Sequence, residues 1–210
     1  MSTRQRIQDR PELVRNTLIH LEDTEIKLYT EIGKIRYDSN RKNNVKDTAA
    51  KRDKNDPYKF DIIGVAGELA LYKMIGEYPH GVMDVGIRSM ERGTDKGDLL
   101  LDGLTVDVKT TDHVNGRLLA VNNKCLGVID LFALVVKLSD NNFMLRGFYP
   151  CHMLIKEENF NRADGKLFRP CYNVGQEELM DYEEVVKKLQ PLKKVLDSVN
   201  VIRHTVQIVE

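Results

Sequence analysis

The stretch Gly97-Asp98-Leu-Leu-Leu-Asp-Gly-Leu-Thr-Val-Asp107-Val-Lys109 constrains this chain more than any other. Asp102-Gly103 between two apolar runs is the strongest short-range signal for a two-residue β-hairpin. With that dipeptide as the loop, Leu101 pairs with Leu104, Leu100 with Thr105, Leu99 with Val106 and Asp98 with Asp107. Opposed residues share a face, and faces alternate with period two. Leu99, Leu101, Leu104, Val106 and Val108 therefore make one apolar face, which must be core, while Asp98, Leu100, Thr105, Asp107 and Lys109 make the other. Two carboxylates then stand opposite each other, with Cβ atoms about 4.5–5.5 Å apart, an arrangement that destabilises a sheet unless something offsets the charge. A hard cation such as Mg2+ does so through one or two carboxylates plus water and substrate phosphate. Lys109 points to the same side, where its ammonium could orient or deprotonate a water, or hold charge developing on a phosphate. A surface ion pair is the plainer reading of the same residues.

A helix is expected over about 58–75, closed by Gly76. It places Glu68 inside an apolar stretch, with Gly64, Val65, Leu71 and Tyr72 at helical spacing and no lysine or arginine among them. An uncompensated carboxylate there is costly if buried, and otherwise reaches out to solvent. Gly64 and Gly67 each weaken the helix by roughly 1 kcal/mol. Close approach of the helix backbone to a sheet or a substrate would account for them.

Elsewhere, Leu13, Leu18, Leu21, Ile26, Tyr29 and Ile32 suggest a helix over 11–35, and 38–56 reads as loop or frayed helix because it carries almost no apolar side chains. Strands are expected at Val82–Ile87, Leu118–Val121, Leu131–Leu138 and Phe143–Tyr149, the third apolar enough to be covered on both faces. A helix around 176–189, a short helix to Val199 and a strand 201–209 follow. Helices, then a mixed sheet, then helix make an α/β or α+β fold. The expected organisation is an N-terminal helix and basic arm over 1–56, packed on or extending from a core domain over 57–210.

Charge bears on the choice of partner. The chain of 210 residues carries 32 lysines and arginines against 32 aspartates and glutamates, so no whole-molecule field draws it to nucleic acid. Residues 34–54, however, hold eight basic and three acidic side chains, a local excess of five. Such a run is a solvated segment or a phosphate-contacting arm, with Arg41, Lys42, Lys46, Lys51 and Arg52 as the candidate contacts and Lys124 a further one. No apolar run of about 18 residues exists to span a membrane, and no apolar segment follows the first residues as a secretory signal would require. Cys125, Cys151 and Cys171 have neither disulfide-framework nor CxxC spacing and suit a reducing cytoplasm.

Taken together, the helix motif Gly-x-x-Gly-Glu68-x-Ala, then Gly97-Asp98, then Asp107-Val-Lys109, resembles the PD-(D/E)xK nuclease superfamily. The resemblance covers about residues 58–138. It differs in having Gly97 where proline is common and aspartate in the xK pair, and it lacks the Gln-x-x-x-Tyr of the recombination-exonuclease branch. It implies an α/β, restriction-endonuclease-like three-layer core with a central mixed sheet flanked by helices. It also implies Mg2+ or Mn2+ held by Glu68, Asp98 and Asp107, with Lys109 assisting the attacking water. The implied function is Mg2+-dependent hydrolysis of DNA phosphodiester bonds, as a cytoplasmic deoxyribonuclease of the endonuclease kind, with DNA as partner, a homodimer allowed for and no membrane. Two alternatives stay open: a non-catalytic nucleic-acid-binding or assembly protein that keeps the fold, and a carboxylate site holding a structural metal in a protein unrelated to DNA.

Overall fold

A computed structural model describes residues 12–43, 56–78, 80–82, 85–86, 97–121, 125–161 and 170–189. It is a mixed α/β structure built on a curled mixed sheet with helices. In chain order come β1 (Thr17–His20), α1 (Asp23–Lys42), α2 (Lys59–Met74), β2 (Leu99–Leu101), β3 (Leu104–Thr111), β4 (Leu118–Ala120), β5 (Leu131–Lys137), β6 (Asn142–Pro150), the single turn α3 (Cys151–Leu154), β7 (Phe160–Asn161) and β8 (Cys171–Val174). Residues 182–189 are helical.

The main sheet has the order β1-β6-β5-β3-β2, and a smaller sheet has the order β4-β8-β7. Among the described residues only β3 and β5 run parallel; the other neighbours are antiparallel. The hairpin register agrees with expectation over Leu99↔Val106, Leu100↔Thr105 and Leu101↔Leu104. Its loop residues take φ of +50° at Asp102 and +78° at Gly103, as a two-residue turn matching strand twist requires. The apolar face is core: Leu99, Leu101, Leu104, Val106 and Val108 are all buried, whereas Leu100 is 69% exposed. Strand β5, buried along Leu131–Val136, lies between β3 and β6, which is why its sequence is almost unbroken apolar.

Helix α2 packs on β3 and reaches β1, β5 and β6, and α1 packs on α2. Two glycines permit this. A Cβ on Gly67 would overlap the Thr110 side chain, so the helix lies directly against β3. A Cβ on Gly33 would stand 2.5 Å from Ile62 Cα, so the two helix backbones nearly touch. Burying the apolar faces of the sheet and of α2 at about 25 cal/mol per Å2 is the main favourable term.

Three expectations are corrected. The helix expected over 11–35 begins only at Asp23, where Glu22 donates its N–H to Glu25 Oε2 in a capping box. Residues 17–20 form an edge strand on β6, with Ile19 opposite Phe143: the backbone gains a ladder, and an apolar spacing loose enough for either period yields to it. The same helix runs on through Lys42, within the region read as loop or frayed helix. The strand expected at Val82–Ile87 is helical at 80–82 and 85–86. Gly81 donates its N–H to Glu77 O, and Val85 is fully buried; a short apolar run does not reveal its period. The late helix is broken at Leu179–Met180, where Met180 and Phe148 exchange backbone hydrogen bonds. The expected helix to Val199 and strand 201–209 lie outside the described residues. Among the described residues no helix is long and apolar enough to cross a membrane.

Candidate active site

Every candidate catalytic residue lies at the junction of α2 with the β2–β3 hairpin. Glu68 sits on α2, one residue after the glycine that brings the helix onto β3, and is 3% exposed. Tyr72, one helical turn further on, donates its hydroxyl to the main-chain O of Asp98 at 2.9 Å. That bond ties the Glu68 helix to the residue that opens the hairpin. Asp98 itself does not continue the strand ladder. Its N–H donates to Val106 O at 2.7 Å, and its Oδ2 accepts the N–H of Val108 at 2.6 Å. Asp107 and Lys109 lie two apart on β3 and pair with each other. The Lys109 ammonium also stands 5.7 Å from the centroid of Phe132, the β5 residue opposite Asp107.

The charges of these groups act on one another. Burial pushes the Asp98 carboxyl well above its ordinary value, and the charges of Glu68 and Asp107 push it further, against the lowering effects of Lys109 and the Val108 hydrogen bond. Burial alone would lower the Lys109 ammonium, but Asp107, Asp98 and Glu68 outweigh it and the net direction is up. Lys109 therefore stays protonated at neutral pH.

One member of the cluster was not legible as such. Arg36, on α1, donates Nη1 to Glu68 Oε1 at 2.5 Å and Nη2 to Glu68 Oε2 at 2.8 Å. Glu68 is therefore not the uncompensated carboxylate its own helix suggests. Burial would lower the Arg36 guanidinium, but Glu68, Asp98 and Asp61 more than reverse this. Gly33 lets α1 come this close; a Cβ on Gly64 would meet Arg36 Nη1 at 3.7 Å, an ordinary contact. The signal was present, since Gly33 and Arg36 lie on one face of a helix, but the contact spans 32 residues.

The donor set consists of hard carboxylate oxygens, as Mg2+ and Mn2+ require. Asp98, raised by burial and by two neighbouring carboxylates, has the negative surroundings a cation would offset. As placed, Glu68 serves Arg36 and Asp107 serves Lys109, and among the described residues no group of three His, Cys, Asp or Glu side chains could hold a metal ion. Asp98 and Asp107 with water are the pair whose donor chemistry fits, while Glu68 already accepts two bonds from Arg36.

Of the candidate DNA contacts, Arg41 and Lys42 are exposed at the end of α1, with Arg41 5.2 Å over the Tyr37 ring and Tyr37 edge-on to Tyr58. As the last basic residues of the helix, they also complement its dipole. Lys46, Lys51, Arg52 and Lys124 lie outside the described residues. Beside the site, Asp112 pairs with Lys59 at 2.9 Å, and Thr111 Oγ1 accepts the N–H of His113, as a loop cap would.

Residues 13–155 match the model of a family of unknown function, DUF5843. No curated protein and no solved structure matches the chain.

Proposed function

The chain belongs to the DUF5843 family, and we propose that it is a metal-dependent nuclease that hydrolyses DNA phosphodiester bonds. The observation that carries this reading is geometric: at the helix–hairpin junction Tyr72 ties the Glu68 helix to Asp98, Asp98 accepts the Val108 N–H of β3, and Asp107 pairs with Lys109 on that strand. Mg2+ or Mn2+, held by Asp98 and Asp107, would offset phosphate charge and lower the pKa of a water. Lys109, paired with Asp107, would align the attacking water and stabilise charge on the scissile phosphate. Arg41 and Lys42 supply backbone phosphate contacts from the end of α1. The restriction-endonuclease-like three-layer core, a cytoplasmic location, endonucleolytic action and a homodimer are part of the same proposal.

The test is cleavage of plasmid and linear duplex in Mg2+ or Mn2+. Asp107→Asn and Lys109→Ala should each lose about a hundredfold or more in rate, the scale on which a positioned charge acts in a transition state. Activity equal to wild type in both variants overturns the site. A second reading has its own support: the Arg36 pair balances Glu68 without any cation, as a non-catalytic DNA-binding protein with the same site would. Metal-independent binding with no cleavage would establish it.

A further inference from the structure

We propose that Arg36 is the resident counter-cation of the carboxylate cluster, so that a divalent cation and the Arg36 guanidinium compete for Glu68. This rests on the nuclease reading, because it takes the same cluster as the metal site. Both Glu68 oxygens are already committed, in a bidentate fork at 2.5 Å and 2.8 Å. The pair is sheltered, with side-chain exposures of 20% for Arg36 and 4% for Glu68. A cation joining Glu68 would have to sit at about 2.0–2.1 Å from a carboxylate oxygen, beside a guanidinium that never deprotonates. Like charges at that range, in a poorly screened site, repel strongly. The arginine also feels Asp98 and Asp61, so its charge acts on the whole cluster.

The helix crossing makes this competition a property of the fold. Gly33 sets the backbone of α1 against that of α2, which brings Arg36 within reach of Glu68. The arginine therefore stays over Glu68 while both helices keep their places. Arg36 is thus a positioning residue: it fixes the Glu68 carboxylate when no cation is bound and sets how readily a cation draws Glu68 in.

The experiment titrates the metal-free full-length chain with Mn2+ alone, by calorimetry, for wild type, Arg36→Gln and Arg36→Lys. Arg36→Gln should bind Mn2+ about tenfold tighter or more, the scale on which groups bonded to a metal ligand act on metal affinity. Arg36→Lys, which keeps the charge but loses the fork, should fall between the two and serves if Arg36→Gln does not fold. The Mn2+-induced rise in melting temperature should also be larger in Arg36→Gln than in wild type, although the metal-free variant melts lower. Equal or weaker Mn2+ binding in the folded variants overturns the competition while leaving the metal site standing. Failure of wild type and both variants to bind Mn2+ overturns the metal reading and this inference together.

Discussion

Gly33→Ala tests the helix crossing on which the site depends. On propensity alone the change should stabilise α1 by about 1 kcal/mol, since glycine is the weakest ordinary helix former. The structure reverses the sign. The new Cβ would lie 2.5 Å from Ile62 Cα and 2.8 Å from Ile62 N, and both are backbone atoms with no rotamer to escape into. Ordinary contact begins at 3.4 Å, so the helices must part by about 1 Å at their closest point. Overpacking of this kind costs typically about 1–3 kcal/mol, leaving a net destabilisation of about 0–2 kcal/mol. In a chain of this length each kcal/mol moves the melting temperature by about 2–4 °C. Parting the helices also stretches the Arg36–Glu68 fork, so the loss should exceed what packing alone gives. The assay is thermal unfolding followed by circular dichroism in chelator, with Gly86→Ala as control. Gly86 is helical with nothing within 4 Å of its would-be Cβ, so that change should be neutral or stabilising. A melting temperature for Gly33→Ala that rises as much as the control's would refute the close crossing.

Two further outcomes follow from the same geometry. In metal-free protein, Asp98→Asn should raise the melting temperature at neutral pH. The folded state holds Asp98 well above its ordinary value, so it favours the protonated form, and its contribution improves as pH falls from neutral toward the ordinary carboxylate range. Asparagine keeps an oxygen for the Val108 N–H and removes the charge, which should flatten that part of the pH–stability curve and abolish the gain on adding Mg2+; a lower melting temperature with an unchanged pH slope would count against it. For DNA binding, replacing Arg41 and Lys42 together by alanine should weaken affinity and reduce the slope of log K against log salt by about 0.9 for each phosphate no longer neutralised. An unchanged slope would confine both residues to closing the helix.

The hairpin was legible from Leu99 to Val106 because what sets its register there is local: Asp102-Gly103 closes the turn, and strict alternation assigns the faces; the expected Asp98–Asp107 pair lies beyond the ladder. The same holds for α2, whose bounds and close-packing Gly67 could be read from its own residues. The N-terminal region was not. Residues 17–20 form a strand because β6 offers an open edge for them, and no spacing within 11–35 encodes that edge. The basic run split in a way that charge counting could not reveal. Arg36 turns inward to Glu68, while Arg41 and Lys42 remain outside at the end of the helix.

The sequence by itself therefore determined which side chains the hairpin and α2 carry toward one junction, because turn chemistry and short-range periodicity act over a few residues. Only the tertiary structure decided how their charges are balanced. Desolvating Glu68 demanded a partner, and the close packing of α1 on α2 supplied Arg36 from 32 residues away. A pairing of that kind depends on where two helices cross, which their separate sequences do not state.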